Sequence, residues 1–186
     1  MNLFDVIEKT DYMLLLFVRD NLSSLSCDRF FIYVSRAGNG ALLWVISAVI
    51  FLFFKKTRSA AFLTAFVFIF ELIFFEVILK NALARPRPFV EYGFSLIIPP
   101  PPTFSFPSGH ALSSFSSAVI FYHFIGRKAI PFIAAALLIS FSRIYLLVHY
   151  PSDVAAGALF GILTAYGAVR IYERLVISSG KKPQTD

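Results

Sequence analysis

A histidine with acidic and basic neighbours interrupts an apolar stretch near residue 150 in an arrangement suited to nucleophilic attack. Arg143 lies six residues before His149, and Asp153 lies four residues after it. Pro151 disfavours helix at the residue before it, so we expect the chain to turn just after His149. Asp153 then falls in the first turn of the next helix, where its carboxylate can reach back to the imidazole. A histidine oriented by an acid is the usual arrangement for a reactive histidine.

A second stretch, residues 107–110, reads Pro-Ser-Gly-His at the expected start of another helix. Proline is favoured at the first helical position, so Ser108, Gly109 and His110 are predicted to form the first turn. Free backbone N–H groups at a helix start bind anions. Gly109 has no Cβ, which predicts that a phosphate can approach the backbone there. Ser108 adds a hydroxyl donor, and His110 adds a second titratable imidazole.

A third stretch, residues 80–88, supplies cations. Lysine provides a compact charge at Lys80, while Arg87 provides a planar fork that can bind two phosphate oxygens. Pro86 and Pro88 are expected to end the preceding helix and to fix the chain direction near Arg87. A stop signal with snorkelling cations explains this stretch equally well when it is taken alone.

Two glutamates precede Lys80 inside the same apolar run. Glu76 lies four residues before Lys80 and therefore shares its helix face. We predict that Glu76 orients Lys80 and lessens the cost of burying its charge. Glu71 lies deeper in the run, and the sequence suggests no firm partner for it.

The composition indicates a membrane protein. Hydrophobic residues make up 58% of the 186 residues, charged residues make up 15%, and the mean hydropathy is +0.73. The net charge of +6 does not indicate nucleic acid as a partner, because the basic residues sit at the ends of apolar runs and form no single patch. The single cysteine, Cys27, excludes a disulfide framework and a cysteine-based metal site. We see no carboxylate cluster and no histidine pair at metal-ligand spacing, so no metal or other cofactor is expected.

The apolar runs predict an all-α integral membrane bundle, formed by a single domain over residues 1–186. A crossing needs about 20 apolar residues in a helix. The five predicted crossings are residues 37–54, 60–79, 107–125, 129–148 and 151–172. Residues 1–25 combine charged positions with apolar residues at helical spacing, which predicts an amphipathic helix in the membrane interface. A sixth crossing results if that helix spans the membrane.

The basic residues of the short loops predict the orientation. In an alternating topology nine of them fall on one side, which should be cytoplasmic: Lys55, Lys56, Arg58, Arg127, Lys128, Arg170, Arg174, Lys181 and Lys182. All three polar stretches then lie together at the opposite face. The basic residues on that face, Lys80, Arg85, Arg87 and Arg143, are expected to serve a site.

These stretches resemble the three signature motifs of the type 2 phosphatidic acid phosphatase superfamily. The motifs are K-x6-R-P, P-S-G-H and S-R-x5-H-x3-D, and together they cover residues 80–153 of this chain. Every defined position is filled, in order, by Lys80, Arg87, Pro88, Pro107, Ser108, Gly109, His110, Ser142, Arg143, His149 and Asp153.

The resemblance implies a role for each matched residue. His149 would attack phosphorus and form a phosphohistidine, while Asp153 holds the attacking tautomer. His110 would protonate the leaving oxygen and then activate water. The implied phosphate ligands are Lys80, Arg87, Arg143, Ser108 and the backbone of Gly109, with Pro88, Pro107 and Ser142 supporting them. No metal is required in this mechanism, because the cations replace it.

The resemblance implies a lipid phosphate substrate in the bacterial cytoplasmic membrane, reached from the periplasmic or exterior side. Small size and short loops are typical of relatives that act on undecaprenyl diphosphate or phosphatidylglycerol phosphate. Lipid A 1-phosphatases and phosphatidic acid phosphatases stay open as alternatives. Three other readings compete with a lipid phosphatase: a vanadate-dependent haloperoxidase, a membrane transporter and a catalytically inactive scaffold. The motifs do not distinguish a polyprenyl chain from a diacyl chain.

Overall fold

The computed structural model describes residues 3–178, and every regular element among them is helical. The α-helices are α1 (Leu3–Leu22), α2 (Leu25–Gly38), α3 (Leu42–Leu52), α4 (Arg58–Glu71), α5 (Lys80–Leu83), α6 (Pro88–Tyr92), α7 (Gly109–Ile125), α8 (Ile130–Tyr145) and α9 (Pro151–Ser178). Short 3₁₀ turns at Asn39–Ala41 and Gly126–Ala129 join neighbouring helices, and a π-helical segment at Leu72–Leu79 joins α4 to α5.

Four helical stretches within residues 3–178 are long and apolar enough to cross a membrane. They are Leu25–Leu52, Arg58–Tyr92, Gly109–Tyr145 and Pro151–Ser178. Phenylalanines at four-residue spacing along α4, such as Phe62 and Phe66, are exposed on the outside of the bundle, as expected of side chains that face lipid. The chain is therefore a membrane protein. Of the basic residues used to predict its orientation, Lys181 and Lys182 lie outside the described residues.

The predicted count of five crossings is not confirmed by these four stretches, because Gly109–Tyr145 contains two of the predicted crossings. A straight helix of 37 residues would be about 55 Å long, well beyond the ~30 Å hydrocarbon core. The chain instead turns at Gly126, whose φ of 53° is readily adopted only by glycine. α7 and α8 pack against each other as a hairpin, with the rings of Phe121 and Phe132 5.0 Å apart near the turn.

The first predicted crossing, residues 37–54, is not one continuous helix. α2 ends at Gly38, and both Gly40 and Ala41 have φ of 57°, so the chain changes direction before α3 starts at Leu42. This break was missed because isolated glycines are tolerated in apolar helices, particularly in membranes. Its effect is to place the end of α2 beside the start of α7, where a Cβ on Gly38 would lie 2.6 Å from the His110 ring.

α1 lies within residues 1–25, where an amphipathic helix in the membrane interface was predicted, and it packs against α8 and α9. It buries Asp11, Leu15 and Val18 and leaves most of its other side chains exposed. The sequence did not predict that Asp11 would be buried on the same face of α1 as Leu15 and Val18.

α7 lies at the centre of the bundle and contacts α3, α4, α8 and α9. Its close approach to α9 depends on two glycines. A Cβ at Gly157 would lie 2.5 Å from the Ser108 carbonyl oxygen, and one at Gly161 would lie 2.3 Å from the Leu112 carbonyl oxygen. Small residues at such positions let membrane helices pack backbone against backbone. This contact fixes the start of α9 against the start of α7, and both starts carry site residues.

The π-helical segment changes which side chains of the second apolar stretch point the same way. An α-helix aligns residues four apart, whereas a π-helix bonds residues five apart. Glu71 and Glu76 are five residues apart across this segment, and Glu76 and Lys80 are four apart. All three side chains consequently line the same cavity.

Candidate active site

The turn between α8 and α9 presents His149. α8 ends at Tyr145, and Leu147 adopts the left-handed conformation with φ of 57°. The N–H groups of Val148 and His149 both donate to the carbonyl oxygen of Arg143, at 3.2 and 3.3 Å. A non-glycine residue in this conformation is held there by its surroundings, and such strain concentrates at functional sites. The predicted turn after His149 is present, and α9 begins at Pro151 as predicted.

The two ring nitrogens of His149 have different partners. Nε2 lies 3.1 Å from Nη1 of Arg87, and Nδ1 lies 3.4 Å from Oδ2 of Asp153. A guanidinium can only donate, so Nε2 is the unprotonated nitrogen that accepts. Nδ1 therefore carries the proton and faces the carboxylate. This is the tautomer that a nucleophilic histidine needs, with its free lone pair directed at a phosphate-binding cation.

Asp153 is completely buried and accepts from several groups besides His149. The hydroxyl of Ser105 donates to its Oδ2 at 2.5 Å, and the N–H of Tyr150 donates to the same oxygen at 3.1 Å. Arg85 donates to its Oδ1 at 2.6 Å. The predicted approach of Asp153 to the imidazole is present, but the carboxylate also has two side-chain partners that sequence reasoning missed.

Arg87 is buried and rigidly held. Its guanidinium donates to the carbonyl oxygen of Thr103 at 2.6 Å, to the Thr103 hydroxyl at 3.1 Å and to the carbonyl oxygen of Val148 at 2.8 Å. These bonds join the 80–106 connection to the α8–α9 turn. Pro88, expected only to end a helix, also begins the short helix α6 directly after Arg87.

Lys80 and Glu76 form the predicted ion pair. Nζ of Lys80 lies 2.7 and 2.8 Å from the two carboxylate oxygens of Glu76. Lys80 is only 3% exposed, so this pairing offsets much of the cost of burying its charge. Glu71 lies beside Ser116 farther along the cavity, yet neither of its oxygens has a hydrogen-bond partner of normal geometry among residues 3–178.

The start of α7 differs from the prediction in two details. The helix begins at Gly109 with Ser108 as its N-cap, so Pro107 lies outside it rather than at its first position. The space that a Cβ of Gly109 would occupy is filled by Glu76, whose Oε1 would lie 2.4 Å away. The missing Cβ therefore allows the approach of Glu76, and the approach of a phosphate to this backbone stays a prediction. The Ser108 hydroxyl is buried without a hydrogen-bond partner in the described part of the chain.

His110 lines the same cavity as the cations. One ring nitrogen, Nε2, lies 3.0 Å from Oδ1 of Asn39, in the turn between α2 and α3. Its ring also takes up the space beside Gly38, where an added Cβ would lie 2.6 Å from the ring. The predicted second histidine is thus present in the site, and residues before position 40 hold it there.

Arg143 and Ser142 are neighbours in sequence, but their side chains bind different partners. The Arg143 guanidinium, 4% exposed, donates to the hydroxyl of Ser35 on α2. The hydroxyl of Ser142 donates to the carbonyl oxygen of Ile139 at 2.6 Å and so stays within its own helix. Ser142 therefore supports the end of α8 and does not point a donor into the site.

One cavity of about 680 Å³ connects these residues. The site residues among its walls are Lys80, Arg87, Gly109, His110, Arg143 and His149. Apolar and proline side chains from Ile98–Pro102 and Phe68 complete it, and Arg36 and Asn39 line it beside His110. This cavity can bind a phosphate, because three cations and a helix start line it. The two imidazoles can serve as nucleophile and as proton donor or acceptor. No group of three or more metal-ligating side chains occurs within residues 3–178.

The surroundings of His149 favour its neutral form. Burial lowers the pKa of His149 well below its usual range, and the positive charges of Arg87, Arg143 and Lys80 lower it further. A neutral imidazole keeps the Nε2 lone pair available for attack.

Comparison with known proteins places this geometry in a family. The model of the PAP2 superfamily matches residues 60–177. An undecaprenyl-diphosphatase from Sulfolobus acidocaldarius is 33% identical over 142 residues, which are 75% of this chain and 68% of the relative. A lipid A 1-phosphatase from Rhizobium johnstonii is 34% identical over 67% of this chain and 60% of the relative, so the chain spans about three fifths of that protein. The crystal structure of Aquifex aeolicus LpxE superimposes with a TM-score of 0.73 at 26% identity, covering 86% of this chain and 94% of that one.

Proposed function

The chain belongs to the PAP2 superfamily of membrane lipid phosphatases, and we propose that it hydrolyses a lipid phosphate or diphosphate through a phosphohistidine, without a metal. The observation that carries this proposal is the placement of His149. Its Nε2 lone pair faces Arg87, and its Nδ1–H faces the buried carboxylate of Asp153.

In the first half-reaction a phosphate oxygen accepts the Nη1–H that Arg87 had donated to Nε2 of His149, which frees the Nε2 lone pair. The Nε2 lone pair attacks phosphorus as the bond to the leaving oxygen breaks, and His110 gives its proton to that oxygen. Lys80, Arg143 and the N–H groups at the start of α7 stabilise the equatorial oxygens. Attack places a positive charge on the imidazole, which the Asp153 carboxylate stabilises.

In the second half-reaction a water enters the place of the leaving group. His110 now accepts a proton from the water as its oxygen attacks phosphorus. The P–N bond breaks, its electron pair returns to Nε2, and inorganic phosphate leaves. The leaving oxygen and the attacking water both occupy the position opposite His149 at phosphorus. One acid–base residue near that position can therefore serve both half-reactions, and His110 lines the same cavity as His149.

We favour undecaprenyl diphosphate or phosphatidylglycerol phosphate as the substrate. The cavity supports a lipid phosphate, since cations and apolar side chains such as Phe68 and Ile98 line it together. Arg36 also lines it and offers a further cation for the second phosphate of a diphosphate. Lipid A and phosphatidic acid are the alternatives, and the names of the relatives support a lipid substrate without choosing one.

We also propose that the site faces the exterior or periplasmic side of a bacterial cytoplasmic membrane. Arg127 and Lys128 lie in the α7–α8 turn, at the opposite end of α7 from His110. Lys55 and Lys56 precede α4, whose far end leads to Lys80. Basic loops of this kind favour the cytoplasm. On this proposal α7 and α8 cross separately, which gives five crossings, and α1 lies in the interface.

The test is phosphate release from a panel of these four lipids in detergent with EDTA present. We expect release by the wild type, none by His149→Ala, and unchanged release by the matched control His123→Ala, which removes a histidine far from the site. Release that EDTA abolishes would contradict the metal-independent mechanism. Equal release by the wild type and His149→Ala would contradict the assigned nucleophile. Release from no lipid by a folded wild type would favour an inactive scaffold or a transporter, and halide oxidation with vanadate would favour a peroxidase.

A further inference from the structure

α1 reaches the site through one buried carboxylate. Asp11 is 2% exposed, although it lies on a helix whose other acidic residues are exposed. Its Oδ1 accepts from the N–H of Ser152 at 2.9 Å, and its Oδ2 accepts from the Ser152 hydroxyl at 2.5 Å. Ser152 directly precedes Asp153, so these bonds fix the first turn of α9 against α1.

Arg85 connects this carboxylate to the one behind the nucleophile. Its Nη2 donates to Oδ2 of Asp11 at 2.9 Å, and its Nη1 donates to Oδ1 of Asp153 at 2.6 Å. The guanidinium lies over the ring of Tyr150, with its Cζ 3.9 Å from the ring centre. A planar fork with donors on two nitrogens can bridge two carboxylates in this way, whereas an ammonium cannot hold the same geometry.

The charges of Asp11, Arg85 and Asp153 explain why both carboxylates are needed. Arg85 alone would neutralise Asp153 and weaken its attraction for a positive imidazole. With Asp11 on the other side of the guanidinium, the set of two carboxylates and one cation keeps a net negative charge facing His149. That charge matters most when the bond from Nε2 to phosphorus forms, because the ring then becomes positive while Nδ1–H donates to Asp153.

We propose that Asp11, acting through Arg85, is a positioning residue for Asp153, and that α1 is thereby part of the catalytic assembly. This inference rests on the proposed function. Neither residue occupies a defined position of the three motifs, and Asp11 lies outside the 60–177 segment that matches the family model. Neither is among the residues that line the cavity, so we expect both to act through Asp153 and not on the substrate directly.

The first experiment compares Asp11→Asn with Glu8→Gln. Both variants remove one negative charge from α1, but Glu8 is exposed and lies one turn away from Asp11. We expect Asp11→Asn to lower kcat about 10- to 100-fold, in the range seen when outer-shell partners of a site are removed. KM should change little, and the burst of phosphohistidine formation should slow by the same factor. Glu8→Gln should match the wild type in all three.

Arg85→Lys provides a second test that keeps the charge and removes the bridge. We expect a similar loss of kcat, and we expect the double variant with Asp11→Asn to be little worse than either single variant, since both act through one contact. Losses that multiply in the double variant would overturn the proposal. A lower Tm for Asp11→Asn with unchanged kcat per folded molecule would also overturn it, because Asp11 would then be structural only.

The controls separate this inference from the proposed function. If the wild type is active and His149→Ala is not, the chemistry holds, and the Asp11 and Arg85 variants alone decide the inference. If His149→Ala keeps full activity, the proposed function and this inference fail together.

Discussion

Arg87 donates to the nitrogen of His149 that is proposed to attack phosphorus, with 3.1 Å between the two atoms. The guanidinium therefore marks the place of the incoming phosphate and keeps the ring in its attacking tautomer before substrate arrives. Bonds to Thr103 and Val148 hold the guanidinium in place, so the N–H that faces Nε2 is available to a phosphate oxygen at that position.

Arg87→Lys should be severely impaired despite keeping its charge. An ammonium cannot make these bonds together with one to phosphate. We expect kcat/KM to fall about 100- to 1000-fold, the usual effect of losing one donor to transition-state charge. Steady-state kinetics of Arg127→Lys, the same exchange in the α7–α8 turn, should match the wild type. A loss below threefold in Arg87→Lys would argue against direct phosphate binding.

Ser105→Ala should have a smaller effect. Its hydroxyl donates to Asp153, but Arg85 and the N–H of Tyr150 also hold that carboxylate. Removing one buried hydrogen bond costs about 1 kcal/mol, so we expect kcat to fall roughly fivefold to tenfold. Ser47→Ala, which removes a hydroxyl bonded only within α3, serves as the control. Unchanged kcat in Ser105→Ala would mean that the other two bonds suffice.

Glu76→Gln should lower both activity and stability. The substitution keeps the shape beside Gly109 but removes the charge that pairs with Lys80, whose side chain is almost fully buried. Breaking a buried pair by removing one charge costs about 3–5 kcal/mol in stability. Thermal unfolding and phosphate release should both report the loss. Full activity and full stability together would show that Glu76 does not orient Lys80.

The dependence on pH follows from the lowered pKa of His149. The folded protein keeps this imidazole neutral at pH values where the unfolded chain, with an ordinary pKa of about 6.5, already binds a proton. Its contribution to stability is therefore complete above that pH and is lost as the pH falls from there toward the folded pKa. We expect Tm to decrease over this window and to decrease less in His149→Gln. The nucleophile itself should impose no loss of kcat/KM until well below pH 6.5.

Gly161→Ala tests the contact between α7 and α9. A Cβ there would lie 2.3 Å from a backbone oxygen, which must shift, so we expect a loss of about 1–3 kcal/mol in stability. Gly167→Ala, farther along the same helix, meets nothing within 4 Å. It should be neutral or stabilising by about 0.5–1 kcal/mol, because alanine favours helix. Equal Tm values for the two variants would refute the packing constraint.

The sequence was sufficient to predict those parts of the site that depend on short-range pattern. Pro151 and the spacing from His149 to Asp153 predicted the turn and the facing pair, and four-residue spacing predicted the contact between Glu76 and Lys80. Asp11 and Ser105 could not be predicted in the same way. Each lies more than 40 residues from its partner, and nothing local distinguishes a buried aspartate on α1 from the exposed acids around it. The left-handed pair at Gly40 and Ala41 was missed for a different reason: isolated glycines are tolerated in apolar helices, so the surrounding apolar run predicts one helix.

The π-helical segment makes the length of the second apolar stretch part of the site. If Leu72–Leu79 were an ordinary α-helix with the same number of residues, Glu71 and Glu76 would lie five residues apart at about 100° per residue, which would turn them roughly 140° away from each other. Glu71 could then no longer line the same cavity as Glu76 and Lys80. Removing one residue while the segment becomes α-helical would restore the alignment, because an α-helix aligns residues four apart. Among homologues, an ordinary α-helix at this place should therefore occur together with the loss of one residue.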